Sequence, residues 1–284
     1  MTPFRFGLAG RDISYTLSPA IFEWAFAQTG VAGTYTVFDI AEDSMPALVS
    51  GGEWDGLNVT VPYKAGVARL CHRLSDAASD AAAVNTLYRR GEEIWGDNTD
   101  LVGFGYALAR RRERGESVRN ALVIGSGGAA RAVVLALNKG YHQLAITVAS
   151  RDAATARGKL SEFVLSQDIA FCSIIGARET LEEYDLIVNA TPAGTYACPG
   201  SPLPLPLKFN SAALVMDLIY DPRRTALLQE AERCGVRTEN GLVMLIAQAA
   251  ASFRIWTGRE FPLDRALKEL VPRFDSYDPI SHGR

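Results

Sequence analysis

The stretch that most constrains this chain is Ala121–Arg131, ALVIGSGGAAR. Ala121 to Ile124 are apolar and partly β-branched, which suits a buried parallel strand. Gly125, Gly127 and Gly128 then permit a turn that β-carbons would obstruct. Ala129 to Leu137 are mostly small or apolar helix formers, and Gly140 stands where a helix would stop. The spacing G-x-G-x-x-A, on Gly125, Gly127 and Ala130, fits the fingerprint of a turn that holds a dinucleotide pyrophosphate against a helix N-terminus. The pattern alone also suits an ordinary loop. A second predicted strand at Leu144–Ala149 completes the βαβ unit the fingerprint requires. Gly125, Ser126, Gly127, Gly128 and Ala129 are therefore the candidate cofactor-binding residues of this turn.

The chain has 284 residues, a length that suggests about two domains at the usual ~100–200 residues each. Hydrophobic residues make up 48%, enough for substantial cores. The net charge of −3 points to neither nucleic acid nor an anionic membrane surface. Cys71, Cys172, Cys198 and Cys234 are scattered with no C-x-x-C spacing, as expected of reduced thiols in a cytoplasmic protein. The N-terminus shows no signal-peptide pattern, and no run reaches the ~20 apolar residues of a membrane helix. His72, His142 and His282 are far apart, so no metal site is expected.

In the first part of the chain, strands are predicted at Arg5–Ala9, Thr34–Ile40 and Gly56–Val61, the last stopped by Pro62. Helices are predicted from Ser18, with Ser18 as cap and Pro19 at the first position, and over Ser44–Ser50 and Lys64–Leu74. This alternation argues for an α/β domain with a mainly parallel sheet. Val84–Arg90 and Glu92–Gly96 read as a hairpin, followed by a helix from Asp100 to about Gly115. That helix ends in the basic run Arg110–Arg112, read as a solvated helix end. In the second part, strands are predicted at Ala121–Ile124, Leu144–Ala149, Ala170–Ile174, Leu186–Ala190, Ala213–Ile219 and Val236–Glu239. A helix is predicted from Asp221-Pro222 to Cys234. Leu242–Trp256 is nearly all apolar or small, so it is expected to be buried between domains. A last amphipathic helix covers Leu263–Leu270, and the tail after Phe274 is polar.

Four polar clusters stand in apolar surroundings: Thr16–Pro19, Asn58–Lys64, Ala83–Thr86 and Gly96–Asp100. In open parallel sheets, the carboxyl ends of strands face the ligand crevice. Lys64, just after a strand, can exchange a proton with an alcohol if partly buried, and Asp100 can bind the same substrate and offset the ammonium charge. Taken singly, Lys64 reads more readily as an exposed surface lysine and Asp100 as a helix cap.

Together, RFGLAG, NVTVPYK, AVNTL, GDNTD, GSGGAAR, NATPAG and GLVMLIAQAAASFRIWTG resemble the motifs of the shikimate dehydrogenase family, in its order and over nearly the whole chain. The resemblance implies two domains. Residues 1–101, completed by helices within 242–274, would form an α/β substrate domain with a mainly parallel sheet. Residues 102–241 would form a Rossmann-type NADP-binding domain, and Leu242–Trp256 would return to pack on the first. It implies reversible NADPH-dependent reduction of 3-dehydroshikimate to shikimate in aromatic amino-acid biosynthesis. Lys64 would be the catalytic proton donor and acceptor, with Asp100 as its partner. Thr16 and Ser18 match residues that hold the substrate carboxylate. Asn58, Thr60, Asn85 and Gln248 fall in the ring-hydroxyl-binding clusters, and Tyr220 lies near the substrate. Leu218 and Gly241 fall where the chain approaches the cofactor. The implied partners are small molecules only, with no nucleic acid or membrane, for a monomer or homodimer in the cytoplasm.

Some residues depart from the family pattern. Thr16 replaces a usual serine, Leu101 a common glycine, and Thr195 a common methionine near the expected nicotinamide pocket. Cofactor choice rests on Ser150, Arg151 and Asp152. An arginine after the second strand suits the 2′-phosphate of NADP, and an acidic residue suits the ribose of NAD. NADP is the expected cofactor, with NAD as the alternative. Quinate or a shikimate analogue is the rival substrate. A silent nucleotide-binding regulator is the rival from another class, and it would be marked by loss of Lys64 or Asp100, both of which are present.

Overall fold

Strands and helices alternate in the computed structural model, which describes residues 2–112, 118–141, 143–160 and 169–276. The chain divides into two compact units, Met1–Thr99 with Leu245–Arg284, and Asp100–Met244.

The first unit begins with β1 (Phe4–Gly10), α1 (Ser18–Thr29), β2 (Gly33–Asp39), α2 (Met45–Gly51) and β3 (Gly56–Val59). It continues with α3 (Lys64–Val67), β4 (Arg73–Leu74), α4 (Asp76–Ala81), β5 (Thr86–Arg90) and β6 (Glu93–Asp97). The sheet order is β2-β1-β3-β5-β6-β4. β1 runs parallel to β2 and β3, and β4 parallel to β6, while β5 is antiparallel to both β3 and β6. Side chains alternate between faces. Leu57 and Val59 on one face join Trp54, Tyr63, Val67 and Leu87 in a buried core. Phe6, Gly56 and Asn58 are on the other face.

Three local expectations need correction, and one helix is added. Ser18 does not cap α1: Leu17 is the N-cap residue and no side chain caps the helix, although Pro19 stands in its first turn as expected. β3 ends at Val59, and Thr60–Tyr63 form a turn closed by Tyr63 N–H on the Thr60 carbonyl at 2.9 Å. The predicted helix Lys64–Leu74 is one α-helical turn, a 3-10 turn at Ala68–Leu70, then β4. Pairing of β4 with Trp95 and Gly96 overrides the local helical preference. α4, which the sequence reading passed over, starts at Ser75, whose hydroxyl accepts from the Ala78 N–H.

The second unit holds α5 (Asp100–Arg112), β7 (Asn120–Ile124), α6 (Gly128–Gly140), β8 (Ala145–Ser150), α7 (Ala153–Leu160) and β9 (Ile169–Ser173). It continues with α8 (Ile174–Glu179), β10 (Leu186–Asn189), β11 (Leu214–Asp217), α9 (Ala226–Arg233) and β12 (Arg237–Glu239). Its six strands are all parallel in the order β12-β11-β10-β7-β8-β9. This is a doubly wound sheet whose direction of progression reverses between β7 and β10, where ligands bind in such sheets. Complete burial of Ala121 to Ile124 and of Leu186 to Val188 explains their unbroken apolar runs. α9 begins at Ala226 rather than at Asp221-Pro222, because Thr225 caps it by accepting from the Leu228 N–H. The end predicted for the helix from Asp100, and the tail from 277 onward, lie outside the described residues.

α10 (Leu242–Thr257) and α11 (Leu263–Asp275) complete the chain. From Leu245 onward α10 belongs to the first unit, where Phe253 packs near Phe22 and Phe26, and Trp256 stacks on Phe6 with ring centroids 4.6 Å apart. α11 runs five residues past its expected end, through Pro272.

Candidate active site

In the first unit, short polar side chains from four segments meet in a buried network on the α10 face of the sheet. Asn58 Nδ2 donates toward the Asn85 carbonyl and Thr86 Oγ1, each at 3.1 Å, and Ser252 Oγ at 3.0 Å. Asn58 Oδ1 accepts from the Tyr35 hydroxyl at 2.9 Å. Asn85 Oδ1 accepts from the Thr99 N–H at 2.7 Å, and Asn85 Nδ2 donates to Thr99 Oγ1 and Gln248 Oε1. Ser252 Oγ lies 2.9 Å from Thr86 Oγ1 and 3.2 Å from Thr99 Oγ1. Buried polar groups require such partners, and a satisfied network rigidifies its surroundings. Asn58 is thus engaged on both its amide atoms. Thr86, Thr99, Ser252 and Tyr35 are members the sequence alone does not assign; the available signal is Ser252, one turn after Gln248 in a largely apolar helix.

The remaining polar residues of this unit sit on loops that follow strands. Thr16 Oγ1 donates to Ser18 Oγ at 3.2 Å and accepts from the Ser18 N–H, so the two hydroxyls form a pair ahead of α1. Thr60 follows β3, its N–H bonded to the Ala9 carbonyl at 2.9 Å. Gly10 leaves room for it: a β-carbon at position 10 would come within 2.6 Å of the Thr60 methyl. Lys64 opens α3, and its carbonyl accepts from the Val84 N–H at 2.8 Å, which ties it to the segment carrying Asn85. In the adjoining loop Asp97 accepts from Ser75 Oγ and the Asn98 N–H, and Asn98 donates to the Ala83 carbonyl. Asp100 directly follows Thr99, is buried, and opens α5 in the second unit.

In the second unit the glycine turn fits a pyrophosphate. Gly125 has φ +117°, a conformation that demands glycine, and its N–H donates to the Ala149 carbonyl at 2.8 Å. Gly127 caps α6 without any side-chain hydrogen bond, and no acidic residue occupies the helix's first turn. Among the described residues nothing lies within 4 Å of the place a Gly127 β-carbon would take. Ser126, Gly128 and Ala129 beside it are half-buried, and Ala130 is fully buried. The free N–H groups and the helix dipole suit an anion.

At the end of β8, Ser150 Oγ donates to the Asp152 carbonyl at 2.6 Å. Asp152 caps α7: Oδ1 accepts from the Thr155 N–H at 3.0 Å and Oδ2 from the Thr155 hydroxyl at 2.6 Å. The Thr155 hydroxyl, then its N–H, hold the Asp152 carboxyl below the usual carboxylate range. Arg151, between them, is exposed.

At the ends of β10 and β11, Asn189 and Asp217 form a second buried cluster with Thr225. Burial pushes the Asp217 carboxyl up to about 6, against hydrogen bonds from Thr225, Asn189 and the Ile219 N–H. Leu218 and Gly241 meet closely: a β-carbon on Gly241 would strike the Leu218 carbonyl, and the Gly241 N–H bonds the Ile219 carbonyl at 3.0 Å. Tyr220 follows and is half-buried. Thr195 closes a turn through its hydroxyl on the Pro192 carbonyl at 2.8 Å.

One chain that carries a doubly wound unit with an anion-ready glycine turn at its switch point, and a second unit with clustered hydroxyls, amides and a loop lysine, falls in the class of nicotinamide-dependent oxidoreductases acting on small polar substrates. Residues 8–87 match the shikimate dehydrogenase substrate binding domain, and residues 241–270 the shikimate 5′-dehydrogenase C-terminal domain. The shikimate dehydrogenase (NADP(+)) of Exiguobacterium sibiricum is 37% identical over 274 residues, covering 95% of this chain and 97% of that one. The shikimate 5-dehydrogenase of Thermus thermophilus, solved in complex with NADP(H) and shikimate, superposes with TM-score 0.82 at 32% identity over 95% of this chain and 99% of its own. The quinate dehydrogenase of Corynebacterium glutamicum, in complex with NAD, gives 0.80 at 27% identity over 95% and 99%. The chain belongs to the shikimate dehydrogenase family.

Proposed function

We propose that this protein is an NADP-dependent shikimate dehydrogenase that reduces 3-dehydroshikimate to shikimate and runs the reaction in reverse. The observation that carries the reading is the bond from the Thr99 N–H to Asn85 Oδ1. It sets the residue before Asp100 on the same side chain that, with Gln248, anchors the polar network.

NADPH supplies the hydride when bound at the glycine turn. Lys64 donates a proton to the ketone oxygen as the carbonyl is reduced, and takes it back when shikimate is oxidised. Asp100 hydrogen-bonds the reacting hydroxyl and offsets the ammonium charge. Thr16 and Ser18 hold the carboxylate with neutral hydroxyls, and Thr60, Asn85 and Gln248 receive the ring hydroxyls. Asn58, committed to four partners, orients Asn85 and Thr86. Tyr220 lies at the substrate, and Leu218 and Gly241 at the cofactor. Arg151 pairs with the 2′-phosphate, and Asp152, turned into the α7 cap, does not oppose it directly. The first unit serves the substrate and the second the cofactor. Among the described residues no helix is long and apolar enough to cross a membrane. The proposed enzyme is cytoplasmic and a monomer or homodimer.

The test is a matrix of initial rates: shikimate and quinate, each with NADP+ and NAD+. Fast turnover with shikimate and NADP+ alone is the expected outcome. Preference for quinate or NAD+ replaces this reading with a broad-specificity or catabolic enzyme, and turnover with no pair replaces it with a silent homologue.

A further inference from the structure

Asp217 ends β11 at 1% exposure, and its hydrogen-bond partners are all uncharged. Three donors converge on it: Asn189 Nδ2 and the Ile219 N–H on Oδ1, each at 3.0 Å, and the Thr225 hydroxyl on Oδ2 at 2.7 Å. A carboxylate accepts all three, whereas a carboxamide can meet the two N–H donors with its oxygen but must reverse the Thr225 bond, its NH2 donating to a hydroxyl that already accepts from the Leu228 N–H. A buried carboxylate with neutral partners is costly, so its use here points to what the three donors hold in place.

The three donors lead to two loops. Asn189 passes the contact on: its Oδ1 accepts from the Thr191 N–H at 3.0 Å and the Thr191 hydroxyl at 2.7 Å, and its Nδ2 also donates to the Ala193 carbonyl. Thr191 in turn abuts the glycine turn, since a Gly125 β-carbon would come within 3.1 Å of the Thr191 methyl. On the other side, a Gly194 β-carbon would come within 3.1 Å of both Ile219 and Thr225. The loop Thr191–Thr195 is therefore clamped between the pyrophosphate turn and the segment that Asp217 holds. A dinucleotide bound at the switch point would have its adenosine ribose at the end of β8. The residues at the ends of β10 and β11 would then hold its other half.

We propose that Asp217 is a positioning residue for the reacting half of the dinucleotide, acting through Asn189 and the Ile219 N–H to hold the loops Thr191–Thr195 and Leu218–Tyr220. The proposal rests on the NADP-binding reading above.

Calorimetric titration of Asp217→Asn with NADP+ and with adenosine 2′,5′-bisphosphate, which lacks the nicotinamide half, separates the alternatives. NADP+ binding weakens about tenfold or more, while the bisphosphate changes by no more than about twofold; kcat at saturating NADP+ falls about tenfold, with KM for shikimate within about threefold. Thr225→Val shows the same split at smaller size, and it decides the matter if Asp217→Asn does not fold. Equal weakening of both ligands, or no change in either, overturns the proposal. A wild-type protein that binds neither NADP+ nor the bisphosphate would instead overturn the reading on which it rests.

Discussion

Gly56 lies flat against the indole of Trp256: a β-carbon at position 56 would come within 2.6 Å of the ring's Cγ. The indole is fixed from three sides. It stacks on Phe6, lies 5.4 Å from Phe22 by ring centroids, and donates from Nε1 to the Leu87 carbonyl at 3.0 Å. Gly56→Ala must displace it and is expected to destabilise the first unit by about 2–3 kcal/mol, through overpacking and a weakened hydrogen bond. All four tryptophans, Trp24, Trp54, Trp95 and Trp256, belong to that unit, so their fluorescence during urea unfolding reports it selectively. An unshifted midpoint would show that the indole has room to move.

Lys64→Ala is expected to lower kcat by about 10²–10⁴-fold, the usual contribution of a positioned general acid or base. Because the Lys64 backbone, not its side chain, bonds the Val84 N–H, the fold and the KM for shikimate should change little. Asp100→Asn should reduce kcat less and leave NADP+ affinity near wild type. Steady-state kinetics in the oxidative direction checks both, and near-normal turnover in Lys64→Ala removes it from proton transfer.

The parts of this fold legible in the sequence are those set by neighbours along the chain. The apolar run Ala121–Ile124 and the glycines after it announce their strand and turn, because burial and a positive φ at Gly125 restrict residue choice locally. Lys64–Leu74 misled because its outcome depends on distant pairing: the His72 N–H bonds the Ile94 carbonyl at 2.8 Å, and the Ile94 N–H bonds His72 Nδ1 at 2.9 Å. The candidate site divides in the same way. Lys64, Asn85 and Asp100 stand out in polar clusters. Ser252 and Asp217 look like stray polar residues in apolar elements, because their partners Asn58 and Asn189 are 194 and 28 residues away.

Asp152 is the residue through which cofactor choice can be tuned. The Thr155 hydrogen bonds hold its carboxyl below the usual carboxylate range. Replacing it with alanine removes both the cap on α7 and a negative charge beside Arg151. The melting temperature should fall while the NADP+ to NAD+ ratio of kcat/KM rises by about two- to fivefold, the scale of a screened repulsion near the surface. Arg151→Ala should move the ratio the other way. A lower ratio in Asp152→Ala would mean that its carboxylate binds the ribose rather than the helix end.

The Asp217 carboxyl sets a pH dependence of stability whose sign is opposite to that of most carboxylates. Its folded value is pushed up to about 6 by burial, above the roughly 3.9 of an unfolded aspartate. Between those values the native state holds a proton that the unfolded chain has released, so stability falls as pH rises through the window. The cost is absent below about pH 4 and complete above about pH 6, where about two units correspond to about 3 kcal/mol. Asp217→Asn carries no such titration, and all other groups cancel in the comparison. Calorimetric unfolding of both proteins from about pH 4 to about pH 7 should therefore show wild type losing stability relative to the variant as pH rises. A pH-independent difference would mean that the three hydrogen bonds to Asp217 outweigh its burial and keep the carboxylate ionised throughout.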